Sequence, residues 1–248
     1  MPLLKDFSIQ LYSLRTVIND DYDGKIRELG RIGFTGVEFA NEFGGHSAGE
    51  LRKLLDGCGM RTVSAHVGAD LLTTRLDEQI EFFGELGAEY IVLPGYDMKI
   101  RADVMALAGL AGPAARKIRA AGMKFGYHNH AHEFKKDGDE FLLDILWENT
   151  DPSDLVAQLD IAWVAYAGVD PIAYMRKLGP RAEMLHLKQL AAYGSPKQAD
   201  LGDGVIDFRA VILAGRETGV KHYILEQEEY PVDPMTSVAN GFRHIMSL

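Results

Sequence analysis

Amphipathic segments that close on glycine alternate along this chain with short apolar, β-branched or aromatic runs. The arrangement recurs in IRELGRIGFTGVEF, LRKLLDGCGMRTVSAH, IEFFGELGAEYIVLPG, ARKIRAAGMKFGYHNH and VILAGRETGVKHYILEQ. Glycine closes a helix because it adopts the left-handed conformation at little cost, and the run after it has strand composition. FSIQLYS, LVAQLD after the helix-like EFLLDILWEN, and EMLHLKQ after PIAYMRKLG complete eight strand candidates, beginning near residues 7, 35, 61, 90, 124, 155, 183 and 222. PMTSVANGFRHIMSL supplies a last helix. Eight strands alternating with eight helices, with no linker between them, predict a single (β/α)8 TIM barrel domain over residues 1–248. The alternative, a doubly wound open sheet, would more often carry a Gly-rich phosphate loop after its first strand, where this chain has YSLRTVINDDYD.

In a barrel of this kind chemistry sits at the C-terminal ends of the strands, and there the chain turns polar. Gln10, Glu38, His66, His128 with His130, Asp160, His186 with Lys188, and Glu226 with Glu228 fall at those ends. Side chains alternate along a strand, so each of the three pairs shares a face. His128, Asp160, His186 and Glu226, one from each of the last four strands, form a mixed imidazole and carboxylate set suited to one divalent ion: Mn, Co, Mg, Zn or Fe. A structural reading, in which each is a strand-end polar group satisfied by a loop, holds for any one of them more easily than for all four.

The formal net charge of −10 disfavours nucleic acid, whose backbone is bound through a basic face. No apolar run reaches membrane-spanning length, and MPLLKDFSIQLYSLR lacks the features of a leader, so a soluble, cytoplasmic protein is expected. Cys58 is the only cysteine, which rules out an intrachain disulfide.

GVEF, YHNHAHEF, LDIAW followed by GVDP, LHLKQ, GDGVIDF and ILEQEE, in this order over nearly the whole chain, resemble the sugar phosphate isomerase/epimerase family of xylose isomerase-like barrels. In such enzymes Glu, Asp, His and Glu from strands five to eight hold the metal; Asp160, His186 and Glu226 match three of these, and His128 stands where the first Glu would be. The HNHxxEF form is similar to the branch related to inosose dehydratases and to proteins acting on keto-glycosides. The resemblance implies a metal-dependent enzyme, with Mn favoured, that acts on a keto-sugar or sugar derivative by isomerisation or epimerisation. A dehydratase or other lyase is the alternative, and the missing carboxylate tilts slightly towards it.

Glu226 is then expected as metal ligand and proton acceptor, with Glu38, His66, His130 and Lys188 as further acid, base or oxyanion candidates and His130 as the reserve metal ligand. His130, Gln10, Trp163 and Arg209 are substrate-contact candidates, Tyr96 a possible sugar wall, and His132 and Glu133 orienting groups for a ligand histidine. Each also has a structural reading: barrel-mouth ion pairs for Lys188 and Glu38, packing for Trp163, a surface charge for Arg209. The expected partner is a small sugar, with homo-oligomerisation open. Two rivals are an apurinic-site-type nuclease, which the acidity opposes, and a non-catalytic sugar-binding module, which would have little need of the metal-type set.

Overall fold

A computed structural model describes residues 2–248. Helix α1 (Tyr22–Ile32) shows how the repeating unit is built: the Asp21 side chain accepts the Gly24 N–H at its start, and Gly33, at φ 118°, ends it and turns the chain into a strand. The strands are β1 (Ser8–Gln10), β2 (Gly36–Phe39), β3 (Arg61–His66), β4 (Tyr90–Leu93), β5 (Lys124–His128), β6 (Val156–Asp160), β7 (Ala182–Leu187) and β8 (His222–Leu225). The other barrel helices are α2 (Ala48–Asp56), α3 (Leu76–Leu86), α4 (Arg101–Ala120), α5 (Leu142–Glu148), α6 (Pro171–Leu178), α7 (Phe208–Thr218) and α8 (Pro234–Ser247). Every strand starts within one residue of its predicted position.

All neighbouring barrel strands are parallel, and the sheet closes because Ser8 of β1 lies opposite Gly36 of β2 on one side and Ile224 of β8 on the other. Closure excludes the open sheet. Two short helices, Ala69–Thr74 and Ile161–Tyr166, and a small hairpin of Lys136–Asp137 with Glu140–Phe141 follow β3, β6 and β5, which puts them on the mouth side. Among the described residues no helix is long and apolar enough to cross a membrane.

The large apolar core lies between sheet and helices, while Tyr90, Val92, Val156 and Met184 form a separate cluster. Strand alternation directs these four into the barrel, where they plug its lower half. Below them Glu183 accepts from Tyr90, Lys124 and Lys221 at 2.6–2.9 Å. Above them the interior is polar: Gln10, Glu38, Ser64, His128, Gln158, Asp160 and His186 are all buried. So deep a polar column requires partners for each group, and those partners build the site.

Candidate metal centre at the barrel mouth

His128 ends β5, Asp160 ends β6, His186 is the penultimate residue of β7, and Glu226 directly follows β8. Closure of the barrel brings one ligand atom from each within 4.8 Å of all the others. Asp160 divides its carboxylate: Oδ1 caps the Ile161–Tyr166 helix, accepting from Ala162 N–H at 2.9 Å and Trp163 N–H at 3.0 Å. That cap orients Oδ2, a buried oxygen that receives no hydrogen bond. Asn129 fixes the same turn, its Oδ1 accepting the Asp160 N–H at 3.1 Å.

The His186 ring is held on both sides, with Nε2 2.6 Å from Glu38 Oε1 and Nδ1 2.8 Å from Glu226 Oε2. Burial alone would lower its pKa, but the two carboxylates outweigh burial and raise it to about 10. Nδ1 and the Glu226 oxygen are nearly as far apart as two neighbouring ligands about 2.1 Å from one ion would be, roughly 3 Å, so a cation can take the place of that proton. His128 behaves oppositely. Burial first, then the neighbouring histidines, pushes its pKa well down, so the ring is neutral and carries a lone pair, and its buried Nδ1 has no partner.

Lys188 Nζ lies 2.7 Å from Glu228 Oε1, 2.9 Å from Glu226 Oε2 and 3.3 Å from Asp160 Oδ2, and 5.1 Å from the centre of the Trp163 ring. The Asp160 contact is an ion pair without hydrogen-bond alignment. Burial works against the ammonium, but the three carboxylates hold its pKa above the lysine range. Asp160 is destabilised as an anion, since burial raises its pKa more than Lys188 lowers it. Glu38, Asp160, Glu226 and Glu228 thus face two cations, protonated His186 and Lys188. The excess negative charge, the bare Asp160 oxygen and the bare His128 nitrogen all suit a divalent ion, and the mixed N/O set fits Mn, Fe, Co, Zn or Mg.

Above the quartet a cavity of about 270 Å³ is lined by Tyr12, Ala40, Asn41, His66, Pro94, His128, His130, Glu226 and Glu228. A wider annex of about 660 Å³ adjoins it, shares Pro94 and His130 with it, and includes Tyr96 and Lys99. His130 stands at the junction and is anchored through its backbone, whose N–H donates to Glu133 Oε2 at 2.9 Å. Glu133 is fully buried and also accepts from Tyr127 Oη at 2.8 Å. The carboxylate that ends YHNHAHE therefore fixes the loop carrying His130. Gly95 allows the close approach, since a Cβ there would meet the His130 ring at 3.3 Å in a backbone with φ 138°.

Several substrate-side expectations need correction. Glu38 lies below the mouth, fully buried, where Gln10, Ser64 and Gln158 donate to it and His186 and His66 flank it. Gln10 is equally buried, bonded to Glu38 and next to His66, and does not line the cavity. Arg209 is further away: it sits in the first turn of α7, exposed, and donates to the Leu248 carbonyl at 2.9 Å. Trp163 packs against His130, with ring centres 5.8 Å apart, and is not among the residues that line the cavity. Tyr96 lines the annex. His66 does reach the mouth, and His132 is exposed, its ring bonded to the Tyr96 carbonyl. Tyr12 and Asn41 were not found from sequence, because a single 3-10 turn (Leu11–Leu14) and a loop carry no periodicity; Asn41 stands at φ 62°, the single positive φ outside glycine among the described residues.

The family model described as a xylose isomerase-like TIM barrel matches residues 26–248. The chain belongs to that family. An inosose dehydratase of Clostridium beijerinckii is 26% identical, with 91% of this chain and 86% of that protein covered. A solved sugar phosphate isomerase/epimerase from Parabacteroides distasonis superposes with a TM-score of 0.82 at 21% identity, covering 97% of each chain. The probable 3-DHS dehydratase AsbF from Bacillus anthracis gives a TM-score of 0.73 at 15% identity, covering 96% of this chain and 97% of that one. At these identities the two structures establish the barrel and not the reaction.

Proposed function

We propose that this protein is a divalent-metal-dependent lyase that removes a proton next to the carbonyl of a keto-sugar or inosose and eliminates a neighbouring hydroxyl as water. The observation that carries it is the convergence of His128, Asp160, His186 and Glu226 beneath a ring-sized cavity. Inosose dehydratase relatives support the substrate class and the elimination. A bound divalent ion would draw charge from the substrate carbonyl and so acidify the adjacent C–H.

The chain's own residues supply the rest. Glu226 is held as an anion by Lys188 and His186 although burial opposes this, which suits it to holding a cation and weakens it as a base. His130 is the better proton acceptor. Burial lowers its pKa, so it is neutral at pH 7, and it lines the cavity. In the elimination the C–H electrons form the new double bond while His130 takes the proton; the C–O bond breaks, and a proton from His66, which lines the cavity, releases the oxygen as water. One carboxylate with a histidine opposite gives a single base, which distinguishes this site from one with two carboxylates on opposite substrate faces.

The test is incubation of metal-loaded protein in deuterated water with ketoses, inososes and 3-keto-glycosides, following C–H exchange and loss of water. Metal-dependent exchange with elimination is expected; His130→Gln should keep the metal and lose exchange, and Glu226→Gln should bind metal more weakly. Exchange that leads to an isomer with no loss of water would assign isomerisation instead. Exchange at the wild-type rate in His130→Gln would return the base to Glu226 or His66.

A further inference from the structure

We propose that the mouth is built for an uncharged sugar ring and rejects phosphorylated sugars, with Glu228 enforcing the discrimination. This rests on the ring-binding role of the cavity proposed above, but its evidence is separate. No lysine or arginine is among the described residues that line the cavity, whereas Glu226 and Glu228 both are.

The nearest cations are already engaged, including those of the adjoining annex, where Lys99 pairs with Asp97 and Lys135 donates to the Lys99 carbonyl. Lys188 is buried among three carboxylates. The Arg15 guanidinium lies 4.5 Å from the centre of the Tyr12 ring and donates to the Tyr12 and Glu228 carbonyls at 3.1 and 3.0 Å.

Backbone amides are the other usual phosphate ligands, and in this architecture they come from the loops after the seventh and eighth strands. Here four of those amides are taken. Gln189 Oε1 accepts from Leu190 and Ile206 N–H at 2.9 Å each, Ser13 Oγ from Gln227 N–H at 3.1 Å, and Gln198 Oε1 from Glu228 N–H at 2.8 Å. The exit of β8 reads Glu226-Gln227-Glu228-Glu229, an acidic surface where a phosphate would have to sit. For a neutral polyol the same wall is well suited: Glu228 accepts hydroxyl protons, the Asn41 amide can donate and accept, and the half-exposed Tyr12 ring offers an apolar face.

The test pairs D-fructose with D-fructose 6-phosphate, and an inosose with its monophosphate, titrated calorimetrically into metal-loaded wild type, Glu228→Gln and Glu228→Asp. Wild type should favour each neutral partner. Glu228→Gln removes a negative charge from the cavity wall and leaves Lys188 with two carboxylates instead of three, so it should bind the phosphates at least about tenfold tighter, equivalent to about 1.4 kcal/mol. Glu228→Asp, which keeps the charge, should stay close to wild type and shows that the gain is not a folding artefact. Wild type binding a phosphate as tightly as its neutral partner overturns the proposal, as does Glu228→Gln with no gain for the phosphates. The readout is binding, so absence of C–H exchange would sink the proposed reaction while leaving this result interpretable.

Discussion

Asp160→Asn separates the two tasks of one carboxylate. Oδ1 caps a helix and Oδ2 faces the candidate metal position, and an amide can keep the first task while losing most of the second. The sign of the stability effect follows from linkage: the folded-state pKa is raised by burial, so above its unfolded value of 3.8 the ionised carboxylate costs stability and gains none. Removing the charge relieves that cost, while Lys188 keeps Glu226 and Glu228 as partners. The metal-free variant should therefore unfold within about 1 kcal/mol of wild type. Metal binding is a different matter. Losing an anionic ligand should weaken it on the order of 100-fold, at least the loss typical of groups that only orient a ligand. At a metal concentration about 100 times the wild-type Kd, binding stabilises by about 2.7 kcal/mol, which is about 5–11 °C in Tm for a chain of this size. Thermal scans with and without Mn should show that rise in wild type and little of it in Asp160→Asn. Asp160→Ala should lose the cap as well and fall about 1 kcal/mol below Asp160→Asn without metal. An Asn variant with the full metal-induced rise would refute the quartet.

Other consequences follow from residues around the site. Tyr127→Phe leaves one oxygen of buried Glu133 without its donor and should cost about 1–3 kcal/mol in urea unfolding while loosening His130 and lowering C–H exchange; unchanged stability would discount the anchor. Gly95→Ala combines a strained φ with contact against the His130 ring and should cost about 1 kcal/mol or more, with a larger loss in turnover than in metal affinity; wild-type turnover would count against it. At the closed end of the barrel, burial opposes ionisation of Glu183, but Lys124, Lys221 and Tyr90 hold its pKa below the ordinary glutamate value of 4.5. Its contribution to stability is present above about pH 4.5 and fades as pH falls, so the difference between wild type and Glu183→Gln should shrink on acidification, and a pH-independent difference would contradict that.

The eight strands and the four converging side chains were legible because both depend on periodicity. A closed parallel barrel carries every strand's C-terminal end to the same face, so polarity at equivalent ends becomes proximity without knowledge of the loops. Tyr12 and Asn41 were not legible for the same reason, because they lie where the pattern stops, while Arg209 takes the surface-charge reading that the sequence also offered. Arg209 follows a motif that the chain folds outward, and Asn41 reaches the cavity only through a left-handed backbone.

Depth was harder to read than direction. Alternation tells which face a side chain takes, but residues two apart on that face differ in height by about 6.6 Å, and register alone fixes the height. Glu38 pairs with Gln10 and Ser64, two positions short of His66, so it lies one layer beneath the mouth rather than in it. From there it holds His186 Nε2 and leaves Nδ1 facing Glu226 and the metal position. A buried carboxylate that fixes the orientation of a ligand imidazole also raises its basicity. Placed lower, Glu38 thus contributes its charge through His186, while at the mouth a neutral histidine stands where a second carboxylate would bring opposite-face proton transfer. In the proposed reaction, the layer in which each acid sits, more than the number of acids, is what would favour elimination over two-base epimerisation.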